Sequence, residues 1–150
     1  ALVTACRADK RELAQALLAR GGDTNMRGEA GETLLSIVCT AGNLALAQML
    51  IAHGADATMK DTDGSFPLIK AAQSGTPALV AFLLDKGAQI NMTDRNNATA
   101  AFGAALQDDA ATLQVLMARG ADLAIASAWG TPGEYAAREG KANAARVLAH

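Results

Sequence analysis

Three observations in the amino-acid sequence predict an all-α repeat solenoid: stacked helix-turn-helix units with projecting β-hairpin-like loops. The first is a period. Gly21, Gly54, Gly87 and Gly120 lie 33 residues apart, and each opens a similar phrase: GGDTN, GADAT, GAQIN and GADLA. The second is a leucine four residues ahead of each glycine, at Leu17, Leu50, Leu83 and Leu116. The third is another series of turn residues at the same 33-residue spacing, Gly31, Gly64, Asn97 and Gly130. Self-similarity at a fixed period of 20 to 50 residues is the mark of a stacked array. Composition agrees. Hydrophobic residues make up 51% of the chain but aromatics only 3%, so alanine and leucine must fill the core, which favours closely spaced helices over a sandwich of large side chains.

The period divides residues 1–150, one domain, into five units: 1–27, 28–60, 61–93, 94–126 and 127–150. The first is partial, because Ala1 already falls at the start of a first helix, and LAQALLARG (13–21) is its second. TLLSIV (33–38) opens the first helix of the next unit. In the third, GSFPLIKAAQSG (64–75) reads as a turn, a proline in the first helical turn, and a short helix stopped by Gly75. LVAFLLDKG (79–87) places Leu79, Phe82 and Leu83 at i, i+3 and i+4, an amphipathic helix that Gly87 ends. QINMTDRNN, between such units, is polar and too short for a third helix. TAAFGA (99–104) opens the fourth unit's first helix and TPGEYA (131–136) the fifth's. The last unit has lost one residue: Gly140 falls 32 residues after Asp108, and Leu148 continues the leucine series.

DTDG (61–64) invites a calcium-loop reading and fails it. With Gly64 at loop position 6, position 1 is Met59 and position 12 is Lys70, where oxygen ligands are required. The fragment is read as a turn in which Asp61 accepts hydrogen bonds from nearby backbone amides and Thr62 and Asp63 sit at the tip.

The period, the G-A-D phrase and the segments TLLSIV, FPLIKA, TAAFGA and TPGEYA together resemble the ankyrin repeat family, whose units of about 33 residues carry T-P-L-H-x-A at the first helix. The family histidine is replaced throughout, by Ser36, Ile69, Phe102 and Glu134. The resemblance covers essentially the whole chain. It implies a scaffold that binds another protein through its loop tips and the concave face of its first helices, without catalysis. Carried over column by column, the expected contact residues are Glu29, Glu32, Thr40 and Lys60 in the first full unit. The next offers Thr62, Asp63, Ser65, Gln73, Ser74 and Lys86. Arg95, Asn96, Leu106, Gln107 and Arg119 follow, then Trp129, Arg138 and Glu139. The alternative is a regulatory or targeting module of a larger enzyme, a channel or a secreted effector, to which the absence of an initiating methionine points.

The other conspicuous residues have structural readings beside the functional ones. Cys6 and Cys39 share a column filled elsewhere by Ala72, Ala105 and Ala137, which suits two free core thiols, because stacked helices stand too far apart for a disulfide. Arg20, His53, Lys86 and Arg119 precede the four glycines; a cation there is favoured by the helix dipole, and the row would also suit an acidic partner. Met26, Met59 and Met92 form a ladder suited to packing between loops and, as an adaptable surface, to a partner. Trp129, the single tryptophan, either docks on the neighbouring loop or anchors a partner. The pairs Asp108/Asp109 and Glu29/Glu32 lack a histidine or basic partner in register, and His53 and His150 are the only histidines, so no catalytic residue, metal site or cofactor is expected. A net charge of −2 gives no basis for nucleic-acid or membrane-surface binding. A monomer is expected, cytoplasmic on the strength of two unpaired cysteines, with a periplasmic or host-delivered setting left open and a bacterial cast to the composition.

Overall fold

A computed structural model describes residues 1–149; His150 lies outside the described residues. Among the described residues ten helices follow one another in five pairs. The first helices are α1 (Leu2–Arg7), α3 (Leu34–Thr40), α5 (Pro67–Ser74), α7 (Ala100–Leu106) and α9 (Pro132–Arg138). The second helices are α2 (Arg11–Ala19), α4 (Leu44–Ala52), α6 (Pro77–Asp85), α8 (Ala110–Ala118) and α10 (Ala142–Leu148). Each pairs with its own partner. The first helices also stack on one another in chain order, and α4, α6, α8 and α10 form a second layer.

The helix boundaries follow from local chemistry. Thr33, Thr99 and Thr131 cap α3, α7 and α9, each accepting from the backbone N–H three residues on. Thr131 forms a reciprocal capping box with Glu134. In the third unit Phe66 takes the capping position without a side-chain bond, and Pro67 starts the helix instead. Asn43 and Asp109 cap α4 and α8. Most second helices end alike: in α6 the N–H of Gly87 reaches the carbonyl of Leu84, and that of Ala88 reaches Leu83. This two-bond ending needs a left-handed residue at the glycine position, and Gly21, Gly54, Gly87 and Gly120 supply it with φ of 86°, 92°, 96° and 84°.

The core is leucine and alanine, as the composition requires. Leu34, Leu46, Leu50, Leu79, Leu83, Leu113 and Leu116 are fully buried, with Ala47, Ala71, Ala72, Ala104 and Ala105 between them. Alanine at the contacts between first helices lets those helices come close, and burial of the leucines drives the stacking. Cys6 and Cys39 are free and buried in this core.

The projecting loops are hairpin-like without being sheet: among the described residues they hold no strand, only isolated antiparallel bridges between Arg27 and Thr33 and between Ser127 and Gly130. Each tip is a tight turn closed by two backbone bonds, such as Asp61 N–H to the Ser65 carbonyl and Gly64 N–H to the Asp61 carbonyl. That leaves too little chain on either side for a ladder. One expectation needs correction: the Asp61 carboxylate does not serve its own turn. Its Oδ1 accepts from the backbone N–H of Thr33 in the preceding unit at 2.8 Å, and Asp63 takes the local role, accepting from Ser65 N–H at 3.0 Å.

Candidate partner-binding surface

The loop tips are linked crosswise. Thr62 donates both its N–H and its hydroxyl to the Gly31 carbonyl. Arg95 donates to the Thr62 carbonyl, Ala128 N–H to Asn96, and the Asn97 amide to Ala126. The expected contact residues Thr62, Arg95 and Asn96 are exposed yet held in register by bonds to main-chain carbonyls from tip to tip.

Two of the grooves between the tips and the first helices gather several of the expected residues. The first, of about 350 Å³, lies among α1, α3 and α5 and is lined by Arg7, Glu32, Ser36, Thr40, Asp61, Asp63 and Lys70, with Cys6, Ile37 and Ala41. It gathers Glu32, Thr40 and Asp63 from the sequence-based set. Arg7 is ion-paired with Glu32, and Lys70 Nζ lies 3.2 Å from Asp63 Oδ2. Partial burial works against the charge on Asp63, but the Ser65 N–H and the Lys70 ammonium outweigh it and hold the carboxyl below its usual value. Burial pushes the Cys6 thiol up. Burial and then the nearby Asp61 charge push the Cys39 thiol up too, so neither favours the thiolate that nucleophilic chemistry needs.

The second groove, of about 400 Å³, lies among α7, α9 and the last loop, lined by Phe102, Leu106, Trp129, Tyr135, Arg138 and Glu139. It gathers Leu106, Trp129, Arg138 and Glu139. Phe102, 4% exposed, is the base: the Trp129 ring stacks on it at 5.8 Å between centroids, and Tyr135 tilts against it at 4.9 Å. Arg138 donates to the Trp129 carbonyl at 3.0 Å, bonds Glu139, and sits 5.7 Å above the Tyr135 ring. Trp129 thus docks on its neighbours and still presents 46% of its surface. The two readings of this residue meet in one geometry.

The remaining expected contacts are scattered. Lys60 is exposed with its ammonium 5.9 Å from the Phe66 ring, and Glu29 is exposed. Gln107 is exposed at the end of α7. Gln73 and Ser74 are half-buried, and the Ser74 hydroxyl donates to the Ala71 carbonyl within its own helix. Lys86 and Arg119 end second helices. Lys86 lies over Phe82, and Arg119 bonds Asp85 of the preceding unit at 2.7 Å. Ser65 departs from the expected exposure. Its residue is only 6% exposed, because its carbonyl and N–H close the turn beneath the tip.

The grooves also contain residues that sequence reasoning did not select: Arg7, Ser36, Asp61 and Lys70 in one, Phe102 and Tyr135 in the other. A signal existed for two of them. Ser36 and Phe102 occupy the column of the missing family histidine, and each lines a groove. Among the described residues no helix is long and apolar enough to cross a membrane.

No match to this chain was found among curated proteins. The profile for Ankyrin repeats (3 copies) matches residues 2–94, which run from the start of α1 through α6 to the next loop. Ankyrin repeats are in general protein–protein interaction modules and typically lack catalysis. A profile that spans well over half of the residues, together with the paired helices and left-handed glycines at its period, identifies the chain as a member of the ankyrin repeat family.

Proposed function

We propose that residues 1–150 act as one ankyrin repeat domain, in the five units read from the period, and bind a partner protein along the face where the loop tips meet the first helices. The observation that carries this reading is the half-exposed Trp129. In a chain with 3% aromatics, a tryptophan stacked on Phe102 at the rim of an open groove supplies a large, rigid apolar anchor of the type that dominates binding energetics. Leu106 continues the apolar surface into the groove. The same reading has the chain act as a monomer in a reducing, cytoplasmic setting, supported by the free thiols of Cys6 and Cys39.

The test begins with a photo-crosslinking amino acid at Gln107, exposed beside Leu106, in extract of the native host. Titration calorimetry with the purified captured protein then measures affinity. Trp129→Ala and Leu106→Asp are each expected to weaken binding about 30-fold, the size of a hot-spot loss. If both variants bind as the parent does, the assigned face is wrong.

A further inference from the structure

The groove among α1, α3 and α5 has an imbalance that its own residues leave standing. Three carboxylates, Glu32, Asp61 and Asp63, line it against two cations, Arg7 and Lys70, a net of 2 − 3 = −1. Arg7 is committed to Glu32 and Lys70 to Asp63, so Asp61 is the carboxylate without a cation. Asp61 is 4% exposed, and among the described residues its carboxylate accepts from the Thr33 N–H alone, on Oδ1. Its Oδ2 is buried with no hydrogen-bond partner. So are Ser36 Oγ and Glu32 Oε2, and these are the three such side-chain atoms among the described residues. All three residues line this one groove. Buried polar atoms are normally bonded, and an unmade bond to a charged oxygen costs more than a made one contributes. Three in one wall mark the place of a missing donor.

The position is not a habit of the repeat. Asp94 stands 33 residues after Asp61 in the same column, and its Oδ1 accepts from Asn96 N–H and Ala98 N–H of its own loop. Only in the Asp61 unit has the carboxylate turned across to the preceding unit. The donor set does not suit a metal ion: among the described residues no three histidine, cysteine, aspartate or glutamate side chains are grouped to hold one. A hydroxyl oxygen beside two carboxylate oxygens suits several N–H donors on one positive group, as a guanidinium or an ammonium presents.

We infer that this groove receives a single cationic side chain, arginine or lysine, of the bound partner, with Asp61 as its counter-charge and Glu32 and Ser36 as further acceptors. The inference rests on the partner-binding reading and supplies the chemistry of one of its contacts. At the other end of the same row of first helices, the Trp129 groove would take an apolar group, so the partner would present a basic residue and an apolar one on a single surface.

The test uses the full chain and three capped peptides, Gly-Arg-Gly, Gly-Lys-Gly and Gly-citrulline-Gly, titrated while the backbone amide resonances of Thr33 and Asp61 are followed by NMR. Citrulline keeps the shape of arginine and lacks its charge. Saturable shifts are expected with the arginine or the lysine peptide and not with citrulline, and which of the two binds tells guanidinium from ammonium. Asp61→Asn keeps an oxygen for the Thr33 N–H and removes the charge. It is expected to raise the peptide Kd about tenfold, as loss of a charge-assisted bond does. Should that variant fail to fold, Glu32→Gln and Ser36→Ala carry the same comparison. Equal binding of the citrulline peptide, an unchanged Kd in the folded variants, or no saturable shift with any peptide overturns the inference. The titration contains no partner protein, so its outcome is independent of the Trp129→Ala result.

Discussion

Gly87 shows how much one position in the repeat decides. Its φ is 96°, and a Cβ there would meet nothing within 4 Å, so the cost of a side chain is conformational and not steric crowding. Gly87→Ala should therefore destabilise the fold by about 1–2 kcal/mol, the expense of a left-handed L-residue. Four residues earlier, Leu83 is fully buried, and Leu83→Ala should lose about 2–5 kcal/mol through lost transfer and a residual cavity. Urea unfolding of the two variants checks both the values and their order. A Gly87→Ala chain as unstable as Leu83→Ala would mean that the helix ending matters as much as the core.

At the scale of elements, α10 depends on a residue outside itself. Its own N-cap, Lys141, makes no side-chain bond. Asp108 of the preceding unit accepts from the Ala144 N–H at 2.8 Å and from the Asn143 amide at 3.0 Å. It does so from a left-handed φ of 54°. Asp108→Ala removes this borrowed cap, a change of about 0.5–2 kcal/mol, and should speed hydrogen exchange of the α10 amides while leaving those of α4 and α6 unchanged. Uniform acceleration would show that the stack opens as one body.

The helices themselves were legible in the sequence. GSFPLIKAAQSG became α5 with Pro67 in its first turn and Gly75 left-handed at its end, and LVAFLLDKG forms most of α6. Glycine, proline and leucine act within one unit, so a linear pattern records them. Asp61 and Ser65 were misread for different reasons. What the Asp61 carboxylate bonds depends on the neighbouring unit, and Ser65 is covered by the way its own turn closes; periodicity carries no information about either. The grooves stayed hidden similarly. Arg7 and Glu32, or Phe102 and Trp129, are neighbours only once the units have stacked.

For the whole molecule, the first helices form a chain of nearest-neighbour contacts, so stability is distributed along the stack and is close to a sum of unit and interface terms. Acid should erode it at several points together. Asp9 is held below its usual carboxylate value by the Asn43 amide and Arg11, and Asp56 by the hydroxyl and N–H of Thr58. Asp63 is held down likewise, against its partial burial, by Ser65 and Lys70. Each has a folded value below its unfolded one. Their contribution is complete above the unfolded value, about 3.9, and is lost as pH falls through the folded values. The melting temperature should therefore be insensitive to these groups between about pH 5 and 8 and decline below about pH 4. Replacing all three by asparagine should make that acid decline shallower, as thermal melts across the range would show. An unchanged slope would assign acid sensitivity to other carboxylates.

The bonds that tie Gly31 to Thr62, Thr62 to Arg95, and Asn96 to Ala128 have a consequence for anyone who would re-engineer the surface. Loop grafting assumes that each finger can be exchanged like a cartridge. Here the fingers are woven. A transplanted loop arrives with its own side chains, but the rung it forms belongs jointly to the loops on either side. The unit of exchange is therefore a pair of adjacent fingers, cut between rungs and not through them.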